Sequence, residues 1–558
     1  MPSIVARVKL AELINWPTVF ARFGLSGRRL RVLLLQLYGA KQPVNAEPLS
    51  IGSLAAFVKH ELPESEVDLG LVGRPWPMAD RRLLVQRIGD GGYDVVGLSV
   101  PQTTLALARE FLAEMRRTSG DRYPLVVLGH ALPMYAAQDF FEVDPGCVVI
   151  QGWGEVAFVS VLRWYLSGHP ALHQIPGAMT ACGGKAAVTS AAGRNGLDVV
   201  PLRVPGDFFR RVESSRGCHY GKCTFCTRPP GDPRAWQRLP LARVEADIRA
   251  LKDLGVSVFT FADEDFFGDD MDGALAVNRI VSETGNMTYS VSLRADNIWP
   301  AGGGAEALAT RKSELAELRK GGLRKVFIGL ESLSDSQLKR YGKGVSAETS
   351  AMAARLILDC DIDVELGFIP FDPLTTVAEL AENVDALRRT RLWSAAGNIF
   401  VELRMQMGSP LMRSKRLENL VTSFDEEMAS WEWEFADNDA AEVHRLCMSW
   451  WSSVNGSYWA IRNIERTSLS SVARAAEVSI RQASVEVLEA AIYRVIAGRA
   501  DEFADCVAQA NRRCAAAALA VVRNMSMAAV YPQALIEELV RSIDGAAPSG
   551  AAASRGHV

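Results

Sequence analysis

Two successive series of short apolar runs, separated by segments with helical periodicity, constrain the fold of this chain more than any other feature. In the first series, over residues 29–170, the runs "YDVVGLSV" (93–100) and "PLVVLGH" (124–130) are rich in Val and Leu. A helical pattern at 103–117 lies between them. Strands that are apolar along their whole length are typical of parallel sheets covered by helices on both faces. This series therefore predicts a doubly wound α/β domain, with ligands bound beyond the carboxyl ends of its strands.

The second series, over residues 206–412, predicts about six further β/α units, fewer than the eight of a complete barrel. We therefore expect a partial, TIM-like (β/α)6 barrel. Its later strands are predicted at 256–267, 288–298, 323–332, 363–373 and 397–407. We expect an N-terminal extension at 1–28, a linker at 171–205, a mostly helical domain at 413–545 and a flexible tail at 546–558. The tryptophans of the helical domain are expected to be mainly core residues, with the lining of a substrate or cofactor pocket as the alternative: Trp431, Trp433, Trp450, Trp451 and Trp459.

Composition excludes several classes of function. The net charge is −4 and the pI is about 6.1, so the basic face of a nucleic-acid-binding protein is not expected. No uncharged apolar run reaches the length of a membrane span, and the N-terminus has no signal-type apolar core. Nine cysteines in 558 residues do not form a disulfide scaffold. We therefore expect a protein of the reducing cytoplasm that does not enter a membrane.

Three of the nine cysteines lie together in the loop "SSRGCHYGKCTFCTRPP" (214–230). Cys218, Cys223 and Cys226 have the spacing C-x4-C-x2-C. A structural zinc ion takes four ligands, whereas an iron–sulfur cluster held by three thiolates keeps one iron open to a substrate. The spacing favours the cluster, and zinc with His219 or a remote residue as fourth ligand is the alternative.

This loop, together with the β/α units behind it, resembles the radical S-adenosylmethionine (SAM) superfamily. The superfamily's usual spacing is C-x3-C-x2-C with an aromatic residue before the last cysteine, a place that Phe225 holds here. The chain departs from that pattern by one extra residue between the first two cysteines. The resemblance implies that the three cysteines hold a [4Fe-4S] cluster and that SAM binds the free iron.

The ends of three later strands resemble the segments that bind SAM in this superfamily. "FADEDFF" places Asp263 and Glu264 where the SAM amino group is received, although the usual Gly-Gly is Ala262-Asp263 here. "SLRAD" offers Ser292 and Arg294, and "GLES" offers Glu331. A guanidinium suits the SAM carboxylate, and acidic groups suit its ammonium and hydroxyls. Ordinary polar residues at strand ends are the alternative for each position.

The first domain resembles the Rossmann-like cobalamin-binding domains that precede some radical SAM domains. It has neither G-x-G-x-x-G nor a G-K-[ST] phosphate loop. The resemblance implies cobalamin contacts at the strand ends of "DVVGLSV", "VVLGHA" and "VVIQGWGE". The implied residues are Gly97, Ser99, Gly129, Gly152 and Gly154. The paired glycines usual in the second motif are reduced to Gly129, and the D-x-H-x-x-G motif is absent, so base-off cobalamin is expected; a domain that has lost its cofactor is the alternative.

The resemblance as a whole implies a cobalamin-dependent radical SAM enzyme, with C-methylation of an unactivated carbon as the expected reaction. A cyclase or rearrangement enzyme without methyl transfer is the first alternative, and a non-catalytic zinc or redox-sensing module is the second. The cofactors are [4Fe-4S], SAM and cobalamin, with the two β/α domains facing each other across a small-molecule or peptide substrate. The expected partner is an external electron donor of the flavodoxin or ferredoxin type.

Overall fold

The computed structural model describes residues 29–39, 46–73, 78–181, 198–206, 208–227, 236–299, 302–468 and 470–526. The predicted extension at 1–28 and the predicted tail at 546–558 lie outside these residues. Within the described part, no helix is long and apolar enough to cross a membrane.

A six-stranded sheet forms the first part of the chain. Its strand order is β2-β1-β3-β4-β5-β6, with five parallel strands and β6 antiparallel to β5. The strands are β1 Arg31–Tyr38, β2 Glu66–Gly73, β3 Val95–Ser99, β4 Leu125–Gly129, β5 Val148–Ile150 and β6 Ala178–Met179. The helices are α1 Leu49–Glu61, α2 Met78–Arg87, α3 Leu105–Ser119, α4 Ala137–Val143 and α5 Gly154–Ser167.

Helices cover both faces of this sheet, as the doubly wound prediction requires. Phe57 of α1 and Phe158 of α5 pack in one buried cluster, and Phe111 of α3 and Phe140 of α4 pack in another. Burial of each such ring contributes about 2 kcal/mol. The prediction missed β2, whose residues are mostly half-buried or exposed rather than an apolar run. It was also wrong at 178–179, where the predicted linker supplies the edge strand β6.

The second part is an open parallel sheet with the strand order β13-β12-β11-β10-β7. Its strands are β7 Arg211–Val212, β10 Val258–Phe261, β11 Thr288–Arg294, β12 Leu323–Glu331 and β13 Asp363–Phe368, and a separate pair is β8 Ser215–Arg216 with β9 Gln237–Arg238. The helices are α6 Leu241–Asp253, α7 Met271–Thr284, α8 Ala305–Lys320, α9 Asp335–Arg340, α10 Ala347–Asp359 and α11 Val377–Arg389. Thr376 and Glu379 form a capping box that starts α11.

The predicted sixth strand at 397–407 is wrong as a continuous strand. Two isolated parallel bridges, Leu366 with Ala396 and Phe371 with Glu402, take its place beside β13. Asn398 accepts a hydrogen bond from the backbone N–H of Phe400, which turns the chain there. The Phe400 ring then packs against two tryptophans of the following helical part, Trp450 and Trp451.

The third part contains strands that the sequence prediction missed. Met405–Gln406 (β14), Val421–Asp425 (β15) and Ser430–Trp433 (β16) form an antiparallel sheet with the order β14-β16-β15. Three long helices follow, as predicted: α12 Asn438–Ser468, α13 Ser471–Ala497 and α14 Ala500–Ser526. Trp450 and Trp451 are buried in the core that these helices share with the barrel.

Candidate functional site

The loop that carries the three cysteines is held rigidly between the barrel and the segment before β15. Cys218 is buried, Cys223 and Cys226 are half-buried, and all three lie outside any disulfide. Thr224, between the last two, donates its backbone N–H to the carbonyl of Tyr341 (2.9 Å) and its hydroxyl to the carbonyl of Arg340 (3.0 Å). Its carbonyl accepts from the backbone N–H of Leu411 at 2.8 Å. The loop is therefore fixed by backbone contacts on both sides.

Two cations lie beside the thiols. Burial raises the pKa of Cys223, while the positive charges of Lys343 and Arg294 oppose that rise. A guanidinium nitrogen of Arg294 lies 3.7 Å from the sulfur of Cys223. Thiolates are the ligands of iron–sulfur clusters, and neighbouring cations favour the thiolate form. The donor set and its charges thus fit a cluster held by three cysteines.

Arg294 is 5% exposed and already has an anionic partner within the chain. Its guanidinium forms a forked pair with Asp296 (2.9 and 3.0 Å) and donates to the carbonyl of Lys343 (2.9 Å). It also lies 4.0 Å from the ring centre of Tyr220. The sequence predicts that the Arg294 guanidinium binds the SAM carboxylate. In this structure the carboxylate of Asp296 is the anion paired with that guanidinium, and the contact with SAM stays a prediction.

Asp263 holds the beginning of the cysteine loop. Its buried carboxylate accepts hydrogen bonds from the backbone N–H of Ser214 (2.8 Å), from the Ser214 hydroxyl (2.5 Å) and from the Ser215 hydroxyl (2.9 Å). Burial outweighs these bonds and raises the pKa of Asp263 to about 6. Its neighbour Glu264 is exposed. The geometry thus favours a supporting role for Asp263 over the predicted contact with the SAM amino group.

Sequence reasoning missed the adjacent buried carboxylate, Asp265. It lies 2.5 Å from Nδ1 of His219 and accepts from Asn297 at 2.6 Å. The hydrogen bond to Asp265 raises the pKa of His219. Ligand atoms of Cys218, His219 and Asp265 lie within 4.8 Å of one another, which is the grouping that a zinc alternative would use.

Glu331 stands at the carboxyl end of β12 in the left-handed region, with φ +66°. Such a backbone conformation is unfavourable for a residue with a side chain and is concentrated at functional sites. Its carboxylate pairs with Lys343 at 2.8 Å. Gly329 makes room for this pair, because a Cβ there would lie 2.7 Å from the Glu331 carboxylate. The buried pair therefore borders the interior of the barrel beside the cysteine loop.

The other two residues predicted in the barrel differ in setting. Ser292 is half-buried and lies two residues before Arg294, on the same face of β11. Phe225 packs edge-on against Tyr341, with ring centres 5.5 Å apart, in a small apolar cluster under the loop. Phe225 therefore supports the loop, and its predicted cofactor contact stays a prediction.

In the first sheet, the predicted residues do not all lie at the carboxyl edge. Gly97 is in the middle of β3, where a Cβ would come within 2.6 Å of Leu34, so core packing explains this glycine. Ser99 ends β3, with its hydroxyl 3.2 Å from that of Ser50. A Cβ at Gly129 would meet no atom within 4 Å, so space is open there.

Gly152 and Gly154 flank the start of α5. Gly152 has φ +85°, a conformation that favours glycine. Gly154 begins α5, and a Cβ there would lie 3.3 Å from Leu54. Turn geometry and packing thus account for both, and their predicted contacts with a cofactor remain predictions.

The carboxyl edge of the first sheet contacts the cysteine loop directly. Gln102, in the turn after β3, donates to the hydroxyl of Thr227, which follows Cys226 (3.3 Å). Glu155 of α5 makes a forked pair with Arg216 at 3.0 and 2.6 Å. The two α/β parts therefore face each other, as predicted. The side-chain oxygen of Gln102 is buried without a hydrogen-bond partner in the described part, which suits a polar ligand at this edge.

The features missed by sequence reasoning share a common property. Asp265, Asp296 and Lys343 belong to no motif that assigns them a role, and only the folded chain brings them close to the cysteine loop. Asp296 could have been suspected, because a carboxylate two residues after a buried arginine can reach its guanidinium.

The protein-family comparison agrees with this geometry. Residues 212–387 match the radical SAM superfamily model. The chain thus contains a radical SAM domain, the kind of domain that carries a [4Fe-4S] cluster and SAM.

Among curated proteins, the 4'-phospho-dehydrooxetanocin synthase of Priestia megaterium is 29% identical over 378 residues. That match covers 62% of this chain and 49% of the relative, so the chain spans about half the length of the curated protein that it matches.

Among solved structures, the cobalamin-dependent radical enzyme OxsB with aqua-cobalamin and SAM bound has a TM-score of 0.74 at 19% identity, covering 93% of this chain and 84% of that one. The radical SAM methyltransferase TsrM from Kitasatospora setae, with tryptophan and a SAM analogue bound, has a TM-score of 0.54 at 17% identity, covering 70% and 77%. These likenesses establish a shared fold.

Proposed function

We propose that this protein is a cobalamin-dependent radical SAM enzyme acting on a small molecule or peptide bound between its two α/β parts. The observation that carries the proposal is the contact between the cysteine loop and the carboxyl edge of the first sheet, through Gln102 and Thr227. Ligands of open parallel sheets bind at that edge. A cofactor there would therefore adjoin a cluster on the loop.

The residues around the thiols position and shield the cofactors. Cys218, Cys223 and Cys226 would hold the cluster. When bound, the cluster and SAM supply hydrogen-atom abstraction from carbon, and cobalamin supplies a partner for methyl or electron transfer. Arg294 and Lys343 place positive charge beside the thiols. The carboxyl edge of the first sheet lies against the loop through Gln102 and Glu155.

Cobalamin fits the carboxyl edge of the first sheet on two grounds. Space is open above Gly129, and Gln102 presents a buried oxygen with no hydrogen-bond partner in the described part. Gly129 and Ser99 would line the site, together with Gly152 and Gly154. The solved relative OxsB, named as cobalamin-dependent, supports this assignment by its shared fold.

Two outcomes of the chemistry remain candidates. C-methylation is the reaction expected from the sequence and is supported by the fold shared with TsrM, named as a methyltransferase. A cyclisation or rearrangement without methyl transfer is the second candidate, since the curated relative is named as a synthase and not as a methyltransferase. An external flavodoxin- or ferredoxin-type donor would supply the electron.

The test combines cofactor uptake with labelled SAM. After anaerobic reconstitution, the protein should bind about one equivalent of hydroxocobalamin, with a visible spectrum that lacks histidine coordination, and should cleave SAM on reduction. With methyl-labelled SAM and candidate substrates, label in the product indicates methylation, and an unlabelled product of changed skeleton indicates rearrangement. SAM cleavage without cobalamin uptake would reject the cobalamin half of the proposal.

A further inference from the structure

Two arginines lie where the three parts of the chain meet, and neither guanidinium has an ion-pair partner among the described residues. Arg211 is on β7 of the barrel, and Arg466 is on α12 of the helical part. Both are half-buried. Burial lowers the pKa of each guanidinium from its usual value. A half-buried cation without an anion is unfavourable, so this pair of charges needs an explanation.

Phe209 links the positions of the two arginines. Phe209 precedes Arg211 by two residues in extended chain, so their side chains point to the same side, about 7 Å apart. The guanidinium carbon of Arg466 lies 5.1 Å from the centre of the Phe209 ring. Both arginines are therefore neighbours of Phe209, Arg211 along the barrel strand and Arg466 from α12 of the helical part.

The carboxylates near Arg211 are occupied elsewhere. Glu213, Asp263 and Glu47 are the acidic groups that act on it most strongly, besides the phenol of Tyr38. Glu213 pairs with Arg216 and Arg243, and Glu47 with Arg203 and Arg210. Asp263 accepts from two serines.

The carboxylates near Arg466 are occupied as well. They are Glu365, Glu465 and Glu477, and each pairs with a different cation. Glu465 is 2.8 Å from Lys325, Glu477 is 2.6 Å from Arg481, and Glu365 pairs with Arg462. Arg462 also repels Arg466, which lowers the pKa of Arg466 further. Arg466 is thus a surplus cation among matched pairs, and Arg211 forms no ion pair with the described carboxylates around it, although they attract it.

The first domain adds two polar groups near Arg211. Surrounding protein groups and the charge of Arg211 lower the pKa of His130. His130 follows Gly129 at the end of β4, with φ +79°, and its side chain still reaches solvent. Burial raises the pKa of Tyr38, at the end of β1, to about 12, although Arg211 opposes the rise. These groups can donate hydrogen bonds to a ligand without competing for the two cations.

We propose that Arg211 and Arg466 form a binding site for a phosphate group of the substrate. A guanidinium presents a planar fork that matches phosphate oxygens, and two forks suit the double charge of a phosphate ester. Phe327, on the barrel-interior face of β12, is 41% exposed, so the interior has room for the rest of such a molecule. The assignment to the substrate rests on the proposed function, whereas the anion site does not.

The test measures binding of inorganic phosphate by calorimetry in a buffer free of other oxyanions. The protein carries an oxidised cluster, hydroxocobalamin and SAM, because cobalamin has a phosphate and SAM a carboxylate that could take the same place. Saturable phosphate binding by this loaded protein is the expected result. Arg211→Gln and Arg466→Gln should each weaken it about tenfold or more, with iron, cobalamin and SAM content unchanged.

Arg249→Gln is the matched control, since Arg249 is 66% exposed on α6 and should leave phosphate binding intact. Arg466→Lys keeps the charge and should retain part of the affinity, which guards against a variant that merely misfolds. Equal binding by wild type and both glutamine variants would overturn the site. Binding that disappears when cobalamin or SAM is loaded would overturn the substrate assignment. Phosphate binding in a protein that cleaves no SAM would reject the proposed function and leave the anion site standing.

Discussion

Replacing Asp263 should detach the cysteine loop from the barrel. Asp263→Ala leaves one backbone N–H and two serine hydroxyls without their acceptor. Buried donors left unsatisfied cost about 1–3 kcal/mol each. The Ser215 hydroxyl already lies 3.3 Å from the carbonyl of Asp265, so it can recover part of the loss.

The net effect of this change is smaller than the three bonds suggest. Burial raises the pKa of Asp263 to about 6 from 3.8, so the ionised carboxylate itself is unfavourable at neutral pH by about 3 kcal/mol. Removing it relieves that cost for the whole fold while leaving the loop without its anchor. We therefore expect a small change in Tm, together with a loss of iron after reconstitution.

The assay is iron per chain after anaerobic reconstitution, together with SAM affinity in the oxidised state. Asp263→Ala should retain much less iron than the wild type, and Asp263→Asn, which keeps one oxygen acceptor, should recover most of it. Asp272→Ala, at an exposed position of α7, is the control. If both Asp263 variants kept full iron and lost only SAM affinity, the anchor would be refuted and the predicted SAM contact would stand.

Three further perturbations test other parts of the account. Arg294→Ala and Arg294→Lys should both weaken SAM binding about tenfold or more, measured by equilibrium dialysis, because neither variant can form the predicted forked contact with the SAM carboxylate; unchanged affinity would leave Arg294 as a structural partner of Asp296. Burial would raise the pKa of Glu365, but Arg462 and its neighbours lower it to about 2, below the ordinary 4.5. Its contribution of about 3 kcal/mol to the free energy of unfolding is therefore complete above pH 4.5 and lost as the pH falls towards 2. Arg462→Gln should reduce this loss of stability at low pH, as measured by urea titrations. Glu155→Gln should uncouple the first domain from the cysteine loop and split the calorimetric transition into two; a single unchanged transition would contradict the bridging role.

The sequence predicted the elements whose cause is local. A short, uniformly apolar run such as Val95–Ser99 is itself the signal of a buried strand, and the structure has this strand within a few residues of its predicted place. The segment at 397–407 has the same apolar character, but Phe400 packs on Trp450 and Trp451, which lie about fifty residues further along the chain. A contact of that range leaves no trace in local periodicity.

In the candidate site, too, only the features that depend on local sequence could be predicted. The three cysteines are a motif, and their spacing by itself indicates their chemistry. The charged side chains around the cysteines are arranged by tertiary contacts: Asp296 pairs with the guanidinium of Arg294, and Lys343 pairs with the carboxylate of Glu331. Residue types at strand ends therefore predicted which side chains gather near the loop, but not which of them bind one another.

The most direct test of the central claim is electron paramagnetic resonance of the reduced, anaerobically reconstituted protein with and without SAM. We expect about four irons per chain, a signal that SAM shifts, and loss of both in Cys223→Ala. Cys360→Ala, which replaces a cysteine outside the loop, should behave as the wild type. A single zinc per chain, bound through Cys218 and His219 with no SAM-dependent signal, would contradict the account.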